Sequence, residues 1–129
     1  MLRNYTMDYI ILPASADPYQ VMYLPVSPDG HAFQAKVELR YLSAPGLWFL
    51  SISDAMSGAL YVNQIPVICS CGELNDLLYP FRWLFQGSGI GSLFCVKAVE
   101  SPSSTDPGLD NLQEFYVLWG ESWAASSGG

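Results

Sequence analysis

Charge is scarce in this 129-residue chain. Only 13% of its residues are charged, against roughly a quarter in an ordinary soluble domain. The basic residues are Arg3, Lys36, Arg40, Arg82 and Lys97, and they are scattered. Displacing counterions from phosphates needs clustered Lys and Arg, so nucleic acid is not an expected partner, nor is an anionic membrane surface. Histidine occurs once, at His31, and cysteine three times, at Cys69, Cys71 and Cys95. Zinc sites use four ligands with two-residue or longer spacers, so this set does not predict a metal site. An odd cysteine count fits a reducing compartment better than secretion. The Met1–Tyr5 start lacks the basic and apolar regions of a signal peptide, and no run approaches the ~18 apolar residues of a membrane-spanning helix.

Apolar and aromatic residues fill the space that charge leaves. Half the residues are hydrophobic and 14% are aromatic, while twelve Asp and Glu against five Lys and Arg give a net charge of −7. Such a composition excludes disorder over most of the chain. A domain of this size buries a limited share of its surface, so some of the apolar excess is expected to face a partner.

The patterning predicts an all-β fold. Phe33, Ala35, Val37, Leu39 and Tyr41 alternate with Gln34, Lys36, Glu38 and Arg40, which describes a half-buried strand. Ser43–Gly46 reads as a turn into a second strand, with Trp48, Leu50 and Ile52 inward, giving an antiparallel hairpin. Asp54–Gly58 reads as another turn, in which Asp accepts backbone bonds and Gly takes positive φ. A third strand starts at Leu60 and is expected to run through Pro66 to Cys71, with a bulge or a sheet edge at the proline. Residues 72–78 predict one short helical turn ended by Pro80. Phe81–Phe85 reads as a short strand, Gln86–Gly91 as a flexible connector, and Ser92–Val99 and Phe115–Trp119 as strands. Tyr9–Leu12 and Val21–Leu24 are strand-like. About six to eight short strands in this arrangement predict a small antiparallel β-barrel or sandwich. The expected organisation is an extended N-terminal arm over 1–30, a β domain over 31–120, and a flexible tail over 121–129.

No catalytic constellation emerges. Gly87–Gly91 lacks the Lys-Ser/Thr ending and following helix of a phosphate loop. His31 reads as an exposed turn residue, without a nucleophile elbow to serve. Asp106, Asp110 and Glu114 are spaced by four, unlike a calcium loop, and read as part of a solvated loop. Cys69 and Cys71 fall on one strand face as small hydrophobes. The expectation is therefore a non-enzyme without a cofactor. Aromatics are favoured at interfaces, and Tyr5, Tyr9 and Trp123 lie outside the recognisable strands, so they are the candidate interface residues. Residues 1–20 are accordingly expected to matter more for assembly than for folding.

The order of elements resembles a known family. It runs through the strand 33–41, Gly46-Leu47-Trp48, Ser51-Ile52-Ser53-Asp54, Gly58-Ala59-Leu60, Ile65-Pro66-Val67, Asn75-Asp76-Leu77-Leu78, the strand 92–98, Asp106-Pro107 and Leu112–Trp119. Over residues 31–120 this resembles the small baseplate plug proteins of contractile-tailed phages of the cyanophage type. The resemblance implies a structural subunit of the virion, made in the host cytoplasm. Several copies would pack in a ring-like assembly against hub, tail-tube and other baseplate proteins. Trp48, Ile52, Asp54 and Gly58 match the family pattern and are read as fold determinants. The alternative is a small carbohydrate-binding β-sandwich, a receptor-binding module whose mark would be two or three aromatics on one exposed strand face.

Overall fold

A computed structural model describes residues 9–70, 75–86 and 88–122. Within these the protein is all-β, with seven strands in two antiparallel sheets stacked as a sandwich and not closed into a barrel. The strands are β1 (Ile10–Ile11), β2 (Tyr19–Val26), β3 (Phe33–Leu42), β4 (Leu47–Asp54), β5 (Leu60–Pro66), β6 (Ser92–Lys97) and β7 (Phe115–Gly120). One sheet has the order β2-β3-β4-β5, a simple meander, and the other has the order β1-β7-β6. Three single 3₁₀ turns, at Pro28–Gly30, Tyr79–Phe81 and Leu112–Glu114, are the helical elements among the described residues.

The core lies where alternation places it. Ala35, Val37 and Leu39 of β3 and Trp48, Leu50 and Ile52 of β4 are fully buried. They meet Leu93 and Cys95 of β6 and Phe115, Val117 and Trp119 of β7 in one cluster. Trp48 also spends its polar edge, since its Nε1–H donates to the Gly108 carbonyl at 2.7 Å. That bond pins the long loop after β6 onto the meander. The β3–β4 hairpin pairs Leu42 with Leu47 around the expected Ser43–Gly46 turn. At the next turn the Asp54 carboxylate accepts the Met56 N–H at 2.9 Å and Gly58 adopts φ 81°, the two roles its sequence requires.

Several expectations are corrected. From Tyr9 onward the expected N-terminal arm is part of the sheets. Residues of β1 pair with Trp119 and Leu118, and β2 pairs with β3 from Tyr19↔Arg40 to Val26↔Phe33. The cause is burial, since Leu12 and Met22 join the core. Removing residues 1–20 would therefore damage folding itself. The third strand stops at Pro66, and its irregularity lies before the proline, at Gln64 with φ 48°. Val67 still bonds the Trp48 carbonyl at 2.8 Å, and beyond it the chain leaves the meander and crosses to the other sheet, where the Ser70 N–H bonds the Cys95 carbonyl at 2.7 Å.

Of the expected helical turn over 72–78, residues 72–74 lie outside the described residues and 75–78 are not helical; Pro80 sits instead in the first turn of a 3₁₀ element at Tyr79–Phe81, where its fixed φ and missing N–H are suited. The same turn prevents a strand over Phe81–Phe85, which instead folds back so that Phe85 bridges to Ser88. The connector that follows is packed rather than loose. A Cβ on Gly89 would lie 2.6 Å from the Arg82 backbone, and one on Gly91, at φ +90°, would collide with the Gly120 carbonyl.

Candidate functional site: an open sheet edge

A sandwich of two open sheets has four edges, and each edge strand turns half its main-chain groups away from its partner. Among the described residues, three of the four edges are short, distorted or covered. β1 spans two residues, of which Ile10 faces β7 and only Ile11 turns outward. β5 is distorted at Gln64, whose N–H is taken by the Ser51 hydroxyl at 2.9 Å, and it ends in a proline.

The edge of β6 is covered by the crossover. Because the Ala98 N–H bonds the Glu114 carbonyl, the outward-facing residues of β6 are Leu93, Cys95 and Lys97. The Leu93 carbonyl accepts from the Leu77 N–H at 2.8 Å, and the Cys95 carbonyl accepts from Ser70. The Leu93 N–H donates to the Asp76 carboxylate at 3.0 Å. Asp76 also takes the Leu78 N–H at 2.9 Å and the Ser92 hydroxyl at 2.7 Å. One side chain thus fastens the crossover, the following turn and the strand.

The edge of β2 is different. The Tyr41 N–H bonds the Pro18 carbonyl, which fixes the phase of the ladder. Gln20, Met22, Leu24 and Val26 bond β3, while Tyr19, Val21, Tyr23 and Pro25 turn their main-chain groups outward. Among the described residues, the N–H groups of Tyr19, Val21 and Tyr23 donate no hydrogen bond. Pro25 occupies an outward position, so its missing N–H removes no internal bond and limits how far another strand could pair. β2 has no charged residue, the feature by which many proteins protect such an edge.

Beside the edge lies an aromatic and basic face. Tyr19 and Tyr23 are 48% and 58% exposed. The Arg40 guanidinium sits 4.9 Å from the Tyr19 ring centroid, and the Tyr19 hydroxyl donates to Glu38 at 2.9 Å. Lys36 approaches Glu38 at 3.7 Å. Elsewhere Trp83 is also exposed, and the Tyr79 ring carries the Arg82 guanidinium at 3.8 Å.

The residues singled out by sequence are dispersed. Tyr5, Trp123 and Cys71 lie outside the described residues. Tyr9 is half-buried, with its ring 5.8 Å from Phe94 and its hydroxyl donating to the Glu121 carbonyl at 2.6 Å. Burial pushes its phenol up to about 12. It closes the outer face of β6 and is committed within the chain. Trp48, Ile52, Asp54 and Gly58 occupy the core and turn positions described above. The backbone N–H of Met56, with the Ser57 hydroxyl and N–H, holds the Asp54 carboxyl below its ordinary range, against a small opposing effect of burial.

His31 is not a free turn residue: its ring stacks on Phe85 at 3.7 Å, within a cluster with Phe33 and Tyr61. Asp106 accepts the Cys69 N–H at 2.8 Å. Glu114 accepts from the Ser103 N–H and hydroxyl, bonds that lower its carboxyl despite slight desolvation. This loop is bonded to itself rather than simply solvated. Burial pushes the Cys95 thiol up, helped by Cys69 beside it. No group of three His, Cys, Asp or Glu suited to a metal occurs among the described residues. A recess of about 310 Å³ between Ile10, Pro25, Val26, Pro28 and Trp119 carries one carboxylate, Glu121, and no second titratable group.

The sequence signal that could have found the edge was present but indirect. Tyr19, Val21, Tyr23 and Pro25 form one face of β2 and Met22, Leu24 and Val26 the other, so both faces are largely apolar and show no clean alternation. No protein-family model matches the chain, and no curated protein matches it.

Proposed function

We propose that the protein is a structural subunit that assembles by extending its four-stranded sheet across the β2 edge. The observation carrying this reading is the contrast among edges: among the described residues three are short, distorted or covered, while the longest uncharged one keeps its outward N–H donors free. Strand addition supplies main-chain hydrogen bonds for affinity, and neighbouring side chains supply specificity. Together with the order of sequence elements over residues 31–120, this favours a plug-like role in a contractile-tail baseplate, near the hub and tube. The subunit works there by packing, as part of the virion.

Amide hydrogen exchange on the assembled particle tests the reading. Tyr19, Val21 and Tyr23 should exchange slowly in the particle and fast in the dilute chain. A purified tail that lacks the chain, or one in which these amides exchange as in the free protein, would overturn it.

A carbohydrate-binding reading is favoured by one observation: Tyr19 and Tyr23 are exposed on the same strand face, beside the polar Gln34, Lys36 and Glu38. Glycan-array binding lost in Tyr19→Ala and Tyr23→Ala would support it, and silence on the array would remove it.

A further inference from the structure

We infer that the strand accepted by β2 is β2 of a second copy, paired antiparallel about a two-fold axis at Val21, a conclusion that rests on the sheet-extension reading above. The dimer would carry one continuous sheet through the meanders of both copies. A two-fold contact brings the same patch of each subunit together, so the patch must complement itself. In this register Val21 faces Val21 of the other copy, and Tyr19 faces Tyr23. Every outward N–H of Tyr19, Val21 and Tyr23 then meets an outward carbonyl.

The ends of the edge agree with the same register. Pro25, which has no N–H to give, falls opposite Asp17. The Asp17 carbonyl already accepts from the Gln20 side chain at 2.9 Å, and its N–H is directed to the Ser15 hydroxyl at 3.3 Å. Neither group is therefore needed by a partner. Moving the axis to Tyr23 sets Val21 opposite Pro25 and loses a bond in each copy. Moving it to Tyr19 sets Val21 opposite Asp17, whose groups are occupied. Axes at Gln20 and Met22 set Tyr23 opposite Asp17 and Tyr19 opposite Pro25, so only the register centred on Val21 pairs both the N–H and the carbonyl of all three outward residues.

Side chains and charge also fit a second copy. Tyr19 of one copy lies beside Tyr23 of the other on the outer face, on both sides of the Val21 pair, and aromatic cross-strand pairs stabilise such contacts. A chain of net charge −7 repels its own copies in general. At this edge, however, β2 is uncharged and the strand behind it carries Lys36 and Arg40 against Glu38. The copies approach through a strand that carries no charge of its own.

Sedimentation of the full chain over about a hundredfold range of concentration should show a monomer–dimer equilibrium. Facing residues of a hydrogen-bonded pair have Cα atoms about 5.5 Å apart, within disulfide reach. Val21→Cys should therefore cross-link between copies when glutathione disulfide is supplied. The two introduced thiols give up two protons and two electrons, and the oxidant is reduced to two glutathione molecules. Tyr23→Cys should not link to itself, because it faces position 19. Val21→Pro removes one outward donor per copy and no internal bond, so its circular dichroism should match wild type while dimerisation weakens about tenfold to a hundredfold.

A chain that stays monomeric throughout, a Tyr23→Cys variant that links as readily as Val21→Cys, or a folded Val21→Pro variant that dimerises like wild type would each overturn the proposal. A monomeric chain whose edge amides are nonetheless protected in the particle would sink the second copy and leave sheet extension standing. A particle that incorporates Val21→Pro as readily as wild type would sink sheet extension itself.

Discussion

Replacing Asp76 tests how the crossover seals β6. Its carboxylate accepts the Leu93 N–H at 3.0 Å, the Leu78 N–H at 2.9 Å and the Ser92 hydroxyl at 2.7 Å. Leu93, Leu78 and Ser92 are all buried. Asp76→Ala strips all three donors at once. A hydrogen bond to a charged group contributes about 1.5–3 kcal/mol, and a stranded buried donor costs about 1–3 kcal/mol. Asp76 itself is only part-buried, so water would recover some of this, and a net loss of about 3–5 kcal/mol is expected. That is a large share of the roughly 5–15 kcal/mol that holds a domain together.

Asp76→Asn is the informative partner to that variant. Its amide oxygen can occupy the Oδ1 position and still accept both N–H groups, while its NH₂ can meet the Ser92 oxygen. It should lose about 1–2 kcal/mol, chiefly the charge assistance. Urea unfolding compares the three proteins, and hydrogen exchange at Leu93 reports the edge directly. If the Ala and Asn variants unfold together, or if Leu93 stays protected in Asp76→Ala, the carboxylate is not what closes β6.

Three further outcomes are expected. Gly91→Ala should destabilise by about 3 kcal/mol or more, since it combines a positive φ with a collision at Gly120, whereas Gly30→Ala, at φ +84° in open space, should lose only about 1 kcal/mol; equal thermal shifts for the two would refute the steric argument. Trp48→Phe should cost about 2–3 kcal/mol by calorimetry, through the lost bond to Gly108 and a small cavity, and an unchanged melting temperature would contradict it. The Tyr9 phenol stands at about 12 when folded and near 10 when unfolded, so its contribution is complete below pH ~10 and is lost as the pH rises through 12. Wild type should therefore lose more stability than Tyr9→Phe over that window, and parallel curves would remove the assignment.

The meander from β3 to β5 was legible because its period-2 alternation has one buried solution: a slip of one residue would send Val37, Leu39 and Leu50 to the solvent. β2 and β1 were harder, since both faces of β2 are apolar and β1 is held by pairing with a strand far along the chain. Local periodicity carries no record of such a partner. The Phe81–Phe85 segment misled for a related reason. Its composition suits a strand, but Pro80 and the close approach of Gly89 to Arg82 set the backbone. The edge itself becomes visible only from the ladder phase, which depends on which strands neighbour one another.

The pairing of β1 with β7 has a consequence for the order in which the molecule can form. Tyr9 bonds Glu121 across 112 positions, and Asp29 bonds Ser122 across 93. The meander β2-β3-β4-β5 needs only short loops to close and can condense as soon as those residues leave the ribosome. The second sheet must wait for β7, since both β1 and β6 pair with it. Until then the nascent chain presents half a sandwich with its apolar face uncovered, and the final residues of the domain, once made, finish three strands together.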